Sequence, residues 1–311
     1  MSEPTPISDP YAYLNIVKNP DGSITRDLTN FSCTPATPDP SPQTPVVSKD
    51  VSINKSKSTW MRLYAPSSTL NDTVPSQNSS HLFHGFCSDM ARDLNAVVAS
   101  PSYRLAPEHR LPAAYDDGAE ALEWIRNSDE EWIKSRADLS NVFLMGTSAG
   151  GNLAYNVGMR SAAASDLSPL QIRGMILHHP FFGGEERSGS EMRLANDQVC
   201  PPIVSDVFWH LSLPVGVDRD HEYSNPTVGD GLEKIGGLRW RVMVVGGEED
   251  PMVDRQRDVA KLMKRKGVEV VEMFNDGDVH GAEIGDPSKR KPLFASIGKF
   301  ISSSAALCNI F

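Results

Sequence analysis

A serine flanked by glycines is the residue of this chain best suited to nucleophilic chemistry. The sequence Gly146-Thr147-Ser148-Ala149-Gly150 follows a short apolar run, residues 142–145, and precedes a segment that is predicted to be helical. Between a strand and a helix, Gly-x-Ser-x-Gly forms a sharp turn that exposes the serine hydroxyl above the sheet. We expect both glycines to be required, because side chains would clash in so tight a turn. Ser148 is therefore the predicted nucleophile, held on a strained backbone.

A serine nucleophile needs a general base and a group that orients the base. Of the eight histidines, His280 alone lies in a loop after the last predicted strand, residues 268–274. His280 is therefore the predicted base. The remaining candidates are predicted to be polar surface or turn residues, except for two that end a strand and could line the site. The surface group comprises His81, His84, His109, His210 and His221, and the strand-end pair is His178 and His179.

The orienting acid is predicted in the loop after the strand at residues 242–245. By residue type alone, four acids qualify, namely Glu248, Glu249, Asp250 and Asp254. Asp250 lies in the loop proper, just before Pro251, whereas Asp254 is predicted to be the N-cap of the next helix. We favour Asp250. The order serine, acid, histidine, with each residue at the end of a strand, is that of α/β-hydrolases.

Strands alternate with helices along most of the chain. Strands are predicted at 50–53, 59–64, 96–99, 142–145, 174–177, 242–245 and 268–274, and helices at 113–126, 254–266 and 289–301. Such alternation indicates an α/β fold with a mostly parallel central sheet and helices on both faces. That arrangement would bring the ends of the strands carrying Ser148, Asp250 and His280 to one edge of the sheet.

Two segments depart from this alternation. Residues 1–47 are predicted to be an N-terminal leader and lid segment, with a small hairpin between 13 and 26 and a proline-rich extended linker after it. The remaining 48–311 form the predicted α/β-hydrolase domain, interrupted at about 181–225 by a small cap rich in glycine, proline and charge. Four cap aromatics are candidate walls of a substrate pocket, namely Phe181, Phe182, Phe208 and Trp209.

The composition of the chain limits the classes of molecule that it is expected to bind. The chain has 311 residues, of which 39% are hydrophobic, and a formal net charge of −10. This charge argues against nucleic acid or an anionic membrane as partner, and no stretch is long enough to span a bilayer. The four cysteines are widely spaced, which favours reduced thiols in a cytosolic protein. No ligand spacing typical of zinc or iron is present, so neither a metal nor an organic cofactor is expected. The sequence leaves the oligomeric state open.

The chain resembles the plant carboxylesterase branch of the hormone-sensitive-lipase-like α/β-hydrolases. Besides the Ser148, Asp250 and His280 motifs, the resemblance is carried by residues 103–109, 112–117 and 220–226. It extends over nearly the whole chain and is closest to the hypersensitivity-related and kiwifruit-type carboxylesterases. It implies hydrolysis of a small carboxylic ester through an acyl-enzyme, with Ser148, Asp250 and His280 as the catalytic triad.

One departure from the family concerns the oxyanion hole. The family has an apolar strand ending in His-Gly-Gly-Gly, whose backbone N–H groups supply most of that hole. In this chain the corresponding interval, residues 65–82, is polar and contains no glycine. About twenty residues are missing relative to the family. Only the N–H of Ala149, next to the nucleophile, is then predicted to bind the oxyanion, and each lost donor typically costs about 10²–10³ in kcat.

Two alternatives to a weakened esterase follow from the same resemblance. Gibberellin receptors share the fold and are similar to esterases whose catalytic histidine has been replaced. The presence of His280 counts against a receptor of that kind, and the missing strand counts for some loss of chemistry. Other relatives, hydroxyisoflavanone dehydratases and alkaloid cyclases, use the pocket for elimination or cyclisation.

Overall fold

The structure, a computed structural model, describes residues 7–21, 23–26, 34–41, 44–67, 82–163, 167–228 and 232–306. Nine strands lie within these ranges. They are β1 (Ile16–Lys18), β2 (Ile24–Arg26), β3 (Val46–Asn54), β4 (Thr59–Pro66), β5 (Val98–Ser102), β6 (Val142–Thr147), β7 (Ile172–His178), β8 (Arg241–Glu249) and β9 (Glu269–Val279).

Eleven α-helices and one short 3₁₀ helix, Pro226–Val228, connect the strands of the described ranges. The helices are α1 (Pro10–Tyr13), α2 (Leu82–Leu94), α3 (Ala113–Arg126), α4 (Glu131–Arg136), α5 (Ala149–Ala163), α6 (Gly189–Arg193), α7 (Pro202–Ser212), α8 (Leu232–Gly237), α9 (Val253–Arg265), α10 (Ala282–Gly285) and α11 (Pro287–Ala306). The strands and helices predicted from sequence are all present. Six of the seven strands are two to five residues longer than predicted, and β5 is shifted from 96–99 to 98–102. The predicted bounds of α3 are exact, those of α9 differ by one residue, and α11 is seven residues longer than predicted.

A four-stranded parallel sheet forms the centre of the molecule, in the order β6-β7-β8-β9. Its two middle strands are buried on both faces, as expected for a parallel sheet covered by helices. Alternate side chains of β7 and β8 point to opposite faces. Met175 and Val244 pack under α3, α5 and α9, whereas Ile176 and Met243 pack under α2 and α11. The predicted α/β class with helices on both faces is confirmed.

A second sheet contains the antiparallel strands β3-β4-β5. Among the residues that the structure describes, no strand pairs with the free edge of β5 or with that of β6. Both edge strands are only half-buried along their lengths. The two sheets are therefore separate. One further strand between β5 and β6 would be needed to join them into one continuous sheet. The polar interval of the sequence that falls between β4 and α2 lies mostly outside the described ranges.

The leader and the cap contact each other. The predicted hairpin is formed by β1 and β2, and α1 packs against α7 of the cap. The Tyr13 hydroxyl donates a hydrogen bond to the carbonyl oxygen of Gln198 at 2.7 Å. The cap in turn is fixed to the domain beside the predicted acid loop, because the Ser190 hydroxyl donates to the Pro251 carbonyl oxygen at 2.7 Å.

In the described ranges, no helix combines the length and the apolar character that crossing a membrane would require.

Candidate active site

Ser148 lies at a turn between β6 and α5 with a left-handed backbone, φ 56°. A non-glycine residue rarely adopts this conformation, and it persists where surrounding hydrogen bonds enforce it. Here the Ser148 N–H donates to the carbonyl oxygen of His178, and the Ser148 carbonyl oxygen accepts from the Phe181 N–H, both at 3.0 Å. The strand end of β7 and the first residues of the cap thus hold the turn.

The glycines of the motif are not equivalent. A Cβ on Gly146 would lie 2.0 Å from the carbonyl oxygen of Gly150, and a Cβ on Gly151 would lie 2.9 Å from the Cα of Pro180. A Cβ on Gly150 would meet nothing within 4 Å. The expectation that both flanking glycines are required is therefore wrong for Gly150. The tight contact is between the strand end at Gly146 and the first turn of α5.

Gly146→Ala should therefore lower the free energy of unfolding by about 2–3 kcal/mol, because the backbone of the turn must move to admit the methyl group. Gly150→Ala is the matched control in the same motif, and it should change stability by less than about 0.5 kcal/mol. Urea unfolding of the two variants measures the difference. Equal destabilisation by both substitutions would contradict this account of the turn.

The three residues predicted for the triad lie in one hydrogen-bonded line. The distance from His280 Nε2 to Ser148 Oγ is 2.8 Å, and that from His280 Nδ1 to Asp250 Oδ2 is also 2.8 Å. His280 follows β9, and the left-handed Gly281, φ 65°, leads into α10. The arrangement allows Nε2 to accept the serine proton while Nδ1–H is held by the carboxylate.

Asp250 is fully buried directly after β8. Besides His280 Nδ1, its Oδ2 accepts from Gln256 Nε2 at 2.9 Å, and its Oδ1 accepts from the Met252 N–H at 2.9 Å. Burial disfavours the carboxylate, but the charge of His280 and the hydrogen bonds from His179 and His280 outweigh it and hold the pKa of Asp250 well below its ordinary value. Asp250 is thus an anion fixed in position.

The other candidate acids lie elsewhere. Asp254 is not the N-cap of α9, since Met252 occupies that position. The Asp254 carboxylate instead accepts from the Ser190 N–H at 2.7 Å and so ties the cap to the domain. Glu248 pairs with Arg257, and Glu249 is exposed.

A second polar cluster lies directly behind the line of three residues. His179 Nδ1 is 3.0 Å from Asp250 Oδ2, His179 Nε2 is 3.2 Å from Glu283 Oε2, and His178 Nε2 is 3.1 Å from the same oxygen. His178 and His179 thus lie beside the site, as expected. Glu283 was not foreseen, and its only sequence signal is its position three residues after His280, on the first turn of α10.

The polar cluster brings possible metal-ligating atoms together. The groups His178, His179, Glu283 and His179, Asp250, His280 each place one atom per residue within 4.8 Å of the others. These groupings are not visible as a local spacing in the sequence, because each combines residues from segments that are distant along the chain. Each carboxylate here is already contacted by imidazole nitrogens that can donate to it. We therefore assign these atoms to hydrogen bonds and ion pairs and name none of them as a metal ligand.

Ala149, the predicted oxyanion donor, is the first residue of α5 and is exposed. The first N–H groups of a helix have no acceptor within the helix and favour an anion. The Ala149 N–H is therefore suited to bind a developing oxyanion. The interval from which the family takes its other donors lies largely outside the described ranges.

The four predicted pocket aromatics occupy different environments. Phe182 belongs to the central core, edge-on to Tyr155. Phe181 and Trp209 are buried and stack on each other with ring centroids 4.9 Å apart. Phe208, at 39% exposure, contacts the edge of Phe181. Of the four, Phe208 has the most surface available to a ligand.

Comparison with known proteins identifies the family. The sequence pattern of the alpha/beta hydrolase fold matches residues 74–284, and the chain belongs to this family. It is 72% identical to Carboxylesterase 20 of Arabidopsis thaliana over 325 residues, which cover 97% of this chain and 99% of that protein.

Two more distant proteins are also similar. A gibberellin receptor of Arabidopsis thaliana is 32% identical, with 82% of this chain and 80% of the receptor covered. The solved structure of a thermophilic carboxylesterase cloned from a metagenomic library superposes with a TM-score of 0.67 at 25% identity, covering 83% of this chain and 88% of the other.

Proposed function

We propose that this chain is a serine carboxylesterase that hydrolyses small carboxylic esters through an acyl-enzyme. The observation that carries the proposal is the line from Ser148 Oγ through His280 to the buried Asp250, with 2.8 Å at each step. The 72% identity to Carboxylesterase 20 supports the same reaction class.

The proposed reaction has two halves. In the first, Ser148 Oγ attacks the ester carbonyl carbon while its proton passes to His280 Nε2, and His280 then returns that proton to the departing alcohol. In the second, water attacks the acyl-serine, its proton passes to His280, and the acid leaves as Ser148 regains the proton. Asp250 holds the imidazole in the required tautomer and stabilises the imidazolium that forms twice.

The oxyanion would be bound chiefly by the Ala149 N–H, and this predicts slow turnover. The alignment with Carboxylesterase 20 supports a missing segment, because it runs over 325 positions although 97% of this 311-residue chain is only about 302 residues. About 23 positions of that relative thus have no counterpart here. Within the described ranges, the free edges of β5 and β6 have no partner strand, which leaves a place for one strand.

The first test is turnover of p-nitrophenyl acetate by the purified chain. We expect slow release of p-nitrophenol, below the typical enzyme rate of about 10 s⁻¹, and none above background for Ser148→Ala. Equal rates for the native chain and Ser148→Ala would contradict the proposal.

Two features support the hormone-receptor alternative, namely the proposed weakness of the oxyanion hole and the similarity to a gibberellin receptor. A receptor function does not explain why Ser148, His280 and Asp250 are hydrogen-bonded in a line. The two functions differ in a burst experiment, because an esterase releases about one equivalent of p-nitrophenol as the acyl-enzyme forms. A receptor would release none. No contact in the described ranges favours the lyase alternative.

We further propose that the cap at about 181–225, with the 1–47 leader, shapes the pocket mouth over the 48–311 domain. Two contacts support this division, namely the packing of α1 against α7 and the hydrogen bond from the Ser190 hydroxyl to the Pro251 carbonyl oxygen. The substrate is proposed to be a small molecule. A cytosolic location and activity without metal or organic cofactor stay predictions from the sequence.

Two neighbouring aromatics on α7 test the role of the cap. Trp209→Ala should lower the free energy of unfolding by about 3–5 kcal/mol, because it empties a buried, stacked site. Phe208→Ala should cost far less stability and should instead alter the ratio of kcat/KM for p-nitrophenyl butyrate over p-nitrophenyl acetate. An unchanged ratio in Phe208→Ala would show that this side chain does not line the pocket.

A further inference from the structure

His179 is held in an unusual position behind the proposed triad. It follows β7 with a left-handed backbone, φ 43°, and its side chain is completely buried. The backbone N–H of His179 donates to the carbonyl oxygen of Val245 at 2.7 Å, which fixes the turn. Because histidine accepts this backbone conformation only at some cost, the ring is placed between two carboxylates by the fold and not by chance packing.

The protonation states of His179, Glu283 and His178 follow from their burial and from the charges beside them. Burial disfavours the imidazolium, but the hydrogen bond to Asp250 and the negative charges of Asp250 and Glu283 outweigh it and raise the pKa of His179 to about 9. Against its own burial, Glu283 has its pKa held well below the ordinary value by His178 and His179. Burial lowers the pKa of His178 to about 4, so His178 is neutral. His179 and Glu283 thus form an ion pair next to Asp250.

Asp250 Oδ2 is shared by two rings. His280 Nδ1 lies 2.8 Å from it and His179 Nδ1 lies 3.0 Å from it, with the two ring planes nearly perpendicular at 85°. The carboxylate that stabilises the His280 imidazolium therefore also accepts a hydrogen bond from His179, whose raised pKa of about 9 makes it cationic at neutral pH. Each donor lowers the negative charge that the oxygen can offer to the other.

We propose that His179 is a positioning residue that shares Asp250 with His280, and that the Glu283–His179 ion pair sets how strongly Asp250 retains a proton on His280. The inference rests on the proposed function. With His179 charged and Glu283 ionised, the pair is neutral, and Asp250 alone faces His280. Removing either partner of the pair would leave one uncompensated charge near the catalytic base.

The other groups that face this cluster do not replace His179. Gln256 on α9 is neutral and donates to Asp250. Arg290 on α11 contacts the backbone oxygen of Glu283 and pairs with Asp89 of α2 at 2.8 Å. The Thr147 hydroxyl lies 2.8 Å from His178 Nδ1. Among the described residues, only His179 has a side chain that contacts the carboxylates of both Asp250 and Glu283.

The test is the pH dependence of Ser148 labelling by a fluorophosphonate in the full-length chain. In this reaction Ser148 Oγ bonds to phosphorus, fluoride leaves, and the serine proton passes to His280, so the rate falls once His280 is protonated. The variants are His179→Asn, which tolerates the left-handed backbone, Glu283→Gln, and the two together. Rates are measured from about pH 5 to about pH 9, around the usual range of histidine.

Opposite shifts are expected from the two single variants. In His179→Asn the loss of a cation stabilises the His280 imidazolium, so the midpoint of the acid limb should rise by about one pH unit. In Glu283→Gln the loss of an anion should lower it by a similar amount. The double variant restores the charge balance and should return to within a few tenths of a unit of the native midpoint.

Two further measurements keep the outcomes separate. Titration of the histidine rings, followed by ¹⁵N NMR, reports the His280 midpoint without any reaction at Ser148. It therefore decides the inference even if the fluorophosphonate does not label the native chain. A lack of labelling would count against the proposed function alone. Thermal melts show whether His179→Asn folds, and if it does not, the downward shift in Glu283→Gln decides. Midpoints that do not move, or that move in the same direction in both single variants, would overturn the proposal.

Discussion

A strand of about twenty residues ending in His-Gly-Gly-Gly, inserted after Gln77, should raise kcat for p-nitrophenyl acetate about 100-fold or more. The reason is that two backbone N–H groups would join that of Ala149 at the oxyanion, and each such donor typically contributes about 10²–10³ in kcat. Gln77 lies in the interval between β4 and α2, outside the described ranges. Steady-state kinetics of the native and inserted chains measure the effect.

The control for the insertion is the same strand with its last two glycines replaced by proline. Proline has no backbone N–H, so this chain should fold without the gain in kcat. The inserted strand should also raise the melting temperature, because the free edges of β5 and β6 would gain partners. A native chain that already turns over at about 10 s⁻¹ would contradict the account, because other N–H groups would then supply the hole.

Asp250→Asn should lower kcat by about 10³–10⁴, measured in the background of the inserted strand so that the loss lies within range. An asparagine amide would present a donor or a neutral acceptor to His280 Nδ1, so the tautomer that accepts the serine proton at Nε2 would lose its support. Asp250 is completely buried, and its two carboxylate oxygens accept hydrogen bonds from four protein nitrogens. We therefore expect no water molecule to take over the role of the carboxylate in the variant.

Glu249→Gln is the matched control for Asp250→Asn. Glu249 was an equally acceptable acid by residue type, it lies one position earlier, and it is exposed. Its substitution should leave kcat within about twofold of the parent, as for surface changes away from packed features. A larger loss in Glu249→Gln than in Asp250→Asn would show that the acid has been wrongly assigned.

The buried strands were predictable because they carry an unmistakable pattern. Short apolar runs next to glycine and polar loops mark the buried middle strands at 174–177 and 242–245 and the half-buried edge strand at 142–145. A sheet covered by helices on both faces requires this pattern. Together with the strand predicted at 268–274, these strands bring Ser148, Asp250 and His280 to one place, since the ends of parallel strands meet at one edge of a sheet. The loop position of Asp250 also separated it from Asp254.

Contacts between distant segments could not be predicted in the same way. Glu283 meets His178 and His179 across more than a hundred residues, and no local pattern marks it. Asp254 has the residue type of an N-cap, but its carboxylate is used by Ser190 of the cap, because the cap folds back onto α9. Gly150 resembles a required glycine in the motif, although open space surrounds it, and of the two glycines that flank the Thr147-Ser148-Ala149 turn only Gly146 is crowded.

The most direct test of the central claim is fluorophosphonate labelling of the native chain followed by peptide mass spectrometry. The phosphonate is strongly activated, so it reports the Ser148–His280 pair with little demand on the oxyanion hole. The account predicts a single adduct on Ser148, absent in Ser148→Ala and formed at least about 100-fold more slowly in His280→Ala. An adduct on another residue at the same rate in Ser148→Ala, or no adduct on the native chain, would contradict it.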